Sequence, residues 1–214
     1  MRIGILGTGD VGQALGKAFV ALGHEVKMGS RNVNNEKMQK WAKSQGAKAS
    51  TGTFSDAATY GDLVVVATLG LATEEALNQA GPKNFAGKIV MDVTNPLDMT
   101  GGNTLKLTIG LNDSLGERVQ RMLPQARVVK AFNTVGNNLM FRPDLPGGPP
   151  DMFIAGNDDR SKRQVAELLQ EFGWGTVDVG NIEAARYLEP MCMVWLAYGM
   201  RTGTYNHAFK MLRR

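Results

Sequence analysis

The strongest constraint on the fold lies at the start of the chain, where a short apolar run, Ile3-Gly4-Ile5-Leu6, leads straight into Gly7-Thr8-Gly9-Asp10-Val11-Gly12. Val11 to Leu22 then carries Val, Ala, Leu and Phe at helical spacing. A strand, a GxGxxG turn and a helix in that order build a cradle for a pyrophosphate. The first glycine turns the chain, the second lets backbone approach the phosphates, and the third lets the helix pack closely on its strand. Unpaired N–H groups at the helix start then face the negative charge. Gly23-His24 closes the helix, and Glu25 to Met28 reads as the next strand. A glycine turn without a nucleotide is the alternative, and the flanking strand and helix weigh against it.

The end of that second strand selects between dinucleotides. An NAD site places Asp or Glu about 20 residues beyond the turn, where it accepts hydrogen bonds from the ribose 2′-hydroxyl. Here the segment is Gly29-Ser30-Arg31-Asn32, and the next carboxylate is Glu36. Hydroxyl and amide donors beside a guanidinium suit a 2′-phosphate, and Thr8 adds another hydroxyl. NADP is therefore the expected cofactor; the bland reading of Arg31 is a surface arginine on a solvent loop.

Apolar runs and helical patterns keep alternating downstream. Glu36 to Gln45 reads as a helix, Ala47-Lys48-Ala49 as an edge strand, Ser55 to Ala58 as the opening of a short helix, and Asp62 to Thr68 as a buried strand. Thr73 to Gln79 and Ser114 to Met122 read as helices, Lys88 to Asp92 and Val128 to Phe132 as strands. The Pro/Gly-rich stretch Arg142 to Pro150 breaks the rhythm as an ordered excursion or a flap. After it, strands at Met152 to Gly156 and Thr176 to Val179 flank a helix at Ser161 to Phe172. The expected fold is α/β, a Rossmann-type, mainly parallel sheet with right-handed crossovers and a small C-terminal helical lobe.

With 214 residues, 43% of them hydrophobic, the chain has room for one substantial core and a small appendage. Residues 1–180 are expected to form the NADP-binding domain and 181–214 a helical cap that contributes to an acceptor cleft or a dimer contact. In that cap Met191, Met193, Trp195 and Tyr198 form an apolar wall or the seam of a homodimer, ordinary helix packing being the alternative.

Ligands of open α/β sheets bind beyond the carboxyl ends of the strands. Thr68-Leu69, Thr94-Asn95-Pro96 and Ala131-Phe132-Asn133-Thr134 therefore belong on one rim and are candidates for holding ribose and nicotinamide, although Asn-Pro is equally ordinary turn chemistry. His24 and His207 sit in no base motif and read as solvent or packing residues. HExxH, GxSxG and a Walker lysine are all absent. No side-chain acid or base is assigned; Asn133 and Thr134 are expected to position the reacting rings. Hydride transfer between two ring cofactors depends more on alignment and exclusion of water than on a proton-transfer group.

The single Cys192 excludes an intrachain disulfide and a multi-cysteine zinc site, and no metal is expected. A formal charge of +4 from scattered basic residues suits phosphorylated small molecules rather than nucleic acid. The glycine turn comes too early for a signal peptide and no apolar run reaches membrane-span length, so a cytoplasmic location without a membrane partner is expected.

Ile5 to Gly12, Gly29-Ser30-Arg31, Lys88 to Pro96 and the strand end Val129 to Asn133 resemble the deazaflavin (coenzyme F420)-dependent NADP oxidoreductases, and the likeness spans essentially the whole chain. The resemblance implies NADP on the amino-terminal domain, with Thr8, Ser30 and Arg31 toward the 2′-phosphate. It also implies a deazaflavin held against the nicotinamide with help from the C-terminal lobe. One departure matters: archaeal members tend to carry histidine where this chain has Phe132-Asn133-Thr134. Lys130-Ala131-Phe132-Asn133-Thr134 is similar instead to the nucleotide domain of the membrane-anchored STEAP metalloreductases, which implies flavin, FMN or FAD, as a rival acceptor. The metalloreductase step itself is not expected without a haem-binding membrane domain. The expected activity is hydride transfer between NADPH and a deazaflavin or flavin, the small-molecule redox partner. An NADP-binding redox sensor with little turnover and a small-carbonyl reductase are the alternatives; the latter normally needs a longer helical substrate domain and a placed proton donor.

Overall fold

The computed structural model describes residues 1–98, 100, 105–110 and 112–213. Along the chain run β1 (Arg2–Leu6), α1 (Asp10–Ala21), β2 (Glu25–Ser30), α2 (Glu36–Gln45), β3 (Ala49–Thr53), α3 (Phe54–Tyr60), β4 (Leu63–Val66), α4 (Thr73–Ala80) and β5 (Ile89–Asp92). There follow a short antiparallel pair, β6 (Leu97–Asp98) with β7 (Lys106–Leu107), then α5 (Leu115–Met122), β8 (Arg127–Lys130), β9 (Asp151–Gly156), α6 (Asp159–Glu171), β10 (Gly175–Asp178) and α7 (Ala185–Thr202).

Strands that alternate apolar residues on both faces need helices above and below. Ile3, Ile5, Val65, Met91 and Val129 point to one face, where Leu15, Phe19, Met38, Trp41, Val165 and Leu169 of α1, α2 and α6 cover them. Leu6, Val64, Val66, Val90 and Val128 point to the other, beneath Phe54, Leu77, Leu115 and Val119 of α3, α4 and α5. Each such side chain, fully buried, contributes about 1.5–3 kcal/mol. The result is an eight-stranded sheet in the order β10-β9-β8-β5-β4-β1-β2-β3. All neighbours are parallel except β8 and β9.

Local chemistry sets the helix starts. Asn35 caps α2 by accepting from Met38 N, Thr53 and Asp56 form a reciprocal capping box at α3, Ser114 caps α5 and Asp158 caps α6.

Three expectations need correction. The edge strand β3 lies at Ala49–Thr53 rather than at 47–49, because Gly46–Lys48 form a turn of 3-10 helix first. Strand β8 stops at Lys130, and Phe132 takes a left-handed φ of 55° that turns its ring into the core beside Phe172 and Trp174. Beyond α7 the chain from Thr204 to Arg213 is irregular rather than helical. This tail is laced onto the body: Trp195 Nε1 donates to His207 O at 2.9 Å, and Asp151 N donates to Phe209 O at 2.9 Å.

Among the described residues no helix is long and apolar enough to cross a membrane.

Candidate functional site

The register of the parallel strands puts Gly29, Leu6, Val66, Asp92 and Lys130 in one row across the sheet, in the strand order β2-β1-β4-β5-β8. Backbone bonds extend that row past the strand ends: Gly7 N donates to Gly29 O, Ala67 N to Leu6 O, Val93 N to Val66 O and Ala131 N to Asp92 O, all between 2.8 and 3.1 Å. Every rim segment expected from the sequence therefore starts at the same level. The strand order reverses direction at β1, which has β2 on one side and β4 on the other; such a switch point opens a crevice for a ligand.

The three glycines of the turn meet three different surroundings. Gly7 has φ +125°, and a Cβ there would collide with the Ala67 carbonyl. At Gly12 a Cβ would collide with the Gly7 carbonyl, the close approach that seats α1 against its strand. Gly9, by contrast, is exposed, and a Cβ there would meet nothing within 4 Å. Gly9 is also the N-cap of α1 and offers no side-chain cap, so the first-turn N–H groups are left for a ligand. A phosphate fits that open space and those donors. Asp10 is exposed, Val11 half-buried, and Thr8 accepts from Gln13 Nε2 through its carbonyl at 2.9 Å.

Beyond β2, Ser30 is buried and its Oγ accepts from Asn32 N at 3.3 Å, which curls the loop so that Arg31 and Asn32 stand exposed. Arg31 makes no ion pair among the described residues. A groove of about 660 Å³ between α1 and α2 begins at Asp10 and carries Lys17, Lys37 and Lys40, adding positive potential near the turn.

At the other end of the rim the polar side chains brace one another. Asn95 Nδ2 donates to Asn133 O at 2.8 Å, while Asn133 Nδ2 bonds Asn95 Oδ1 at 3.2 Å and Leu188 O at 2.7 Å. The Thr68 and Thr73 hydroxyls share a bond of 2.9 Å. Ala131, Asn133, Thr134 and Pro96 are buried, whereas Leu69 is 81% and Leu71 64% exposed. Gly70 holds this leucine-bearing loop against the turn, since a Cβ there would collide with the Asn95 carbonyl.

Beneath this end lies a cluster that a motif search passes over. Lys130 is fully buried and donates to Asp92 Oδ2 at 3.0 Å, Glu189 Oε1 at 2.8 Å and Thr94 O at 2.6 Å. Burial pushes the Lys130 pKa down, but the charges of Asp92 and Glu189 outweigh it and hold the pKa above the usual lysine value. The available signal was three charged residues embedded in apolar runs: Asp92 after Ile89–Met91, Lys130 after Val128-Val129, and Glu189 next to Leu188.

Among the described residues neither histidine hydrogen-bonds a rim residue. His24 Nδ1 accepts from the Met1 ammonium at 3.2 Å, and burial together with that charge lowers its pKa. His207 stacks on Trp195 and donates to its carbonyl at 3.0 Å.

Comparison with known proteins adds the family. A sequence-family model described as NADP oxidoreductase, coenzyme F420-dependent, matches residues 2–96. The F420-dependent NADP reductase of Methanocaldococcus jannaschii is 30% identical over 199 residues, covering 88% of each chain. The chain belongs to this family. A crystal structure assigned to an F420-dependent NADP-reductase from Arthrobacter sp. FB24 superposes on the whole chain with a TM-score of 0.93 at 38% identity, covering 100% of both. The metalloreductase STEAP3 of Rattus norvegicus is 28% identical over 88% of this chain, which spans 36% of that protein. The fold class and NADP as the family's nucleotide, both expected from the sequence, agree with these relatives.

Proposed function

We propose that this NADP-dependent oxidoreductase moves a hydride between NADPH and a deazaflavin ring at the β4-β5-β8 end of the rim. The observation that carries the proposal is the level row of strand ends. It runs from a phosphate-sized opening over Gly9, past Ser30-Arg31-Asn32 on one side, to Asn95, Pro96, Asn133 and Thr134 on the other.

In this reading the α1 N–H groups and Gly7 to Gly12 hold the pyrophosphate, and Thr8, Ser30, Arg31 and Asn32 the 2′-phosphate. Thr68, Leu69, Asn95, Pro96, Ala131, Asn133 and Thr134 hold the nicotinamide half. When bound, NADPH supplies the hydride. The chain's own part is alignment and drying: the Asn95–Asn133 pair fixes two strand ends against each other, and exposed Leu69 and Leu71 offer apolar surface that a flat ring would cover. Reduction of the acceptor also takes up one proton, which solvent supplies.

Residues 181–213 contribute the cap over this end; of the four apolar residues expected to form its wall or seam, Trp195 is buried and Met191 packs on the Phe153–Leu188 cluster, so the homodimer face falls to exposed Tyr198 with Tyr187 and Val194. Flavin stays as the second reading because Phe132-Asn133-Thr134 replaces the histidine expected of archaeal members and Lys130 to Thr134 resembles the STEAP nucleotide domain, whose relative STEAP3 also matches this chain.

Stopped-flow oxidation of NADPH with coenzyme F420, FMN and FAD offered separately tests the proposal. Rapid, saturable reduction of coenzyme F420 is the expected result. Reduction of a flavin alone moves the assignment to that ring, and tight NADPH binding without oxidation by any of them supports a sensor. Sedimentation as a monomer at working concentration removes the dimer face.

A further inference from the structure

The nicotinamide end of the rim stands on the buried charge cluster, which no step of hydride transfer uses. Asp92 and Lys130 are register partners on adjacent strands, so both side chains leave the sheet on the same face. An ammonium has three protons, and Lys130 places all three on acceptors. One acceptor is the Thr94 carbonyl, which leads directly into Asn95-Pro96. Asp92 Oδ1 grips the same turn, accepting from Thr94 N at 3.0 Å and Thr94 Oγ1 at 2.6 Å.

Glu189 joins the cluster to two helices. Its carboxylate takes Lys130 together with the backbone N–H of Leu115 and of Gly116, at 3.0 and 2.9 Å, so one side chain ties α7 to β8 and to the start of α5. The neighbouring Leu188 carbonyl accepts from Asn133. Both strand-end segments, 94–96 and 131–134, are thus anchored to the same turn of α7. A lysine salt-bridged to two acidic residues in a dry core is a poor route to stability, because apolar residues of similar size would pack as well or better. What they supply is directional bonding at fixed points.

We propose that Lys130, Asp92 and Glu189 act as a brace that sets the strand ends under the nicotinamide, making Glu189 a positioning residue for hydride transfer although it lies outside the ring contacts. The inference rests on the nicotinamide lying at Asn95, Pro96 and Asn133, as proposed above. Glu189→Gln is the informative change. Its amide must turn an N–H toward either Lys130 or the α5 backbone donors, setting donor against donor in the core.

The experiment titrates wild type, Glu189→Gln and Asn133→Ala with NADPH and with 2′,5′-ADP, which carries the 2′-phosphate end but no nicotinamide. Glu189→Gln is expected to weaken NADPH about tenfold while changing 2′,5′-ADP less than about twofold. A brace serving only stability would weaken both equally or neither, and either result overturns the inference. Asn133→Ala reports on the ring subsite itself. If it separates the two ligands and Glu189→Gln does not, the ring placement stands and the brace falls; if neither variant separates them, both fall. Should Glu189→Gln fail to fold, the double variant Lys130→Met/Glu189→Gln takes its place under the same criteria. It removes the cation with one of its two carboxylates and so leaves the formal charge of the cluster unchanged.

Discussion

Gly9→Ala separates binding from folding more cleanly than any other change in the glycine turn. Gly9 has φ −74° and ψ 178°, a conformation that alanine adopts freely, and the added methyl meets no protein atom within 4 Å. Two small terms act on stability. Alanine is a poorer N-cap than glycine, a cost of about 0.5–1 kcal/mol, while the stiffer unfolded chain returns about 0.4–1 kcal/mol. They nearly cancel, so the melting temperature is expected to move by less than about 4 °C. Binding should behave differently, because the methyl occupies the opening where a pyrophosphate would meet the α1 N–H groups. Losing one hydrogen bond to a charged group costs about 1.5–3 kcal/mol, or about tenfold to a hundredfold in affinity. NADPH and NADH should suffer alike, since both carry the pyrophosphate. Fluorescence titration of both nucleotides, alongside a thermal melt without ligand, reads the two effects separately. Undiminished binding of both would falsify the phosphate role of the turn. A melt lowered as far as in Gly12→Ala, where the methyl collides with the Gly7 carbonyl and overpacking costs about 1–3 kcal/mol, would refute the reading of open space over Gly9.

Arg31→Ala is expected to weaken NADPH about tenfold and NADH hardly at all, because only the former loses a charge-assisted phosphate contact; equal losses in titrations would remove Arg31 from the 2′-phosphate site. The Glu117 carboxylate is half of a stability switch at acid pH. Burial alone would raise its pKa, but the bonds from Arg186 and Ser114 prevail and lower it, so its contribution is complete above the unfolded carboxylate range and is lost as pH falls through the lower folded value. Urea melts of wild type and Glu117→Gln should therefore differ at pH 7 and converge in acid; a constant gap across pH would contradict this. Burial pushes the Cys192 thiol up to about 12, so iodoacetamide at pH 8 should label it only after denaturation; rapid labelling of the native protein would show that the α7 packing opens readily.

The parallel strands were legible because strands covered on both faces are continuous apolar runs, as in Leu63–Val66 and Ile89–Met91. Strand β3 was placed too early since Ala-Ser-Thr-Gly-Thr is an edge segment held by backbone pairing to β2, with almost no apolar pattern of its own. The reversal at β9 left no trace in the pattern, because strand direction depends on the route of 131–150, which contains no crossover helix. Phe132 looked like strand because aromatic residues favour strands, yet the aromatic cluster around Phe172 draws its ring inward. On the rim, Gly7 to Gly12 and Ser30 to Asn32 could be placed at the ends of β1 and β2 because the signals for turn and helix start are local. Asp92, Lys130 and Glu189 are separated by 38 and 59 residues, and only the folded chain shows that they meet.

Strands β9 and β10 join the other six strands of the sheet through a short backbone seam. Strand β1 pairs five residues with β2, whereas β8 pairs two with β9, and β9, β10 and α7 share an apolar cluster of their own around Phe153, Val177 and Leu188. Sub-global opening is therefore expected to start between β8 and β9 and to release α7 with its outer cluster, while α6 stays packed in the main core through Val165, Leu169 and Phe172. Such an opening would carry Glu189 away and strand Lys130 beside Asp92 in wet surroundings. On the proposed placement of the nicotinamide, bound nucleotide stabilises only the closed arrangement, so amide exchange in β9 and α7 should slow when NADPH is added, although neither element lies under the glycine turn.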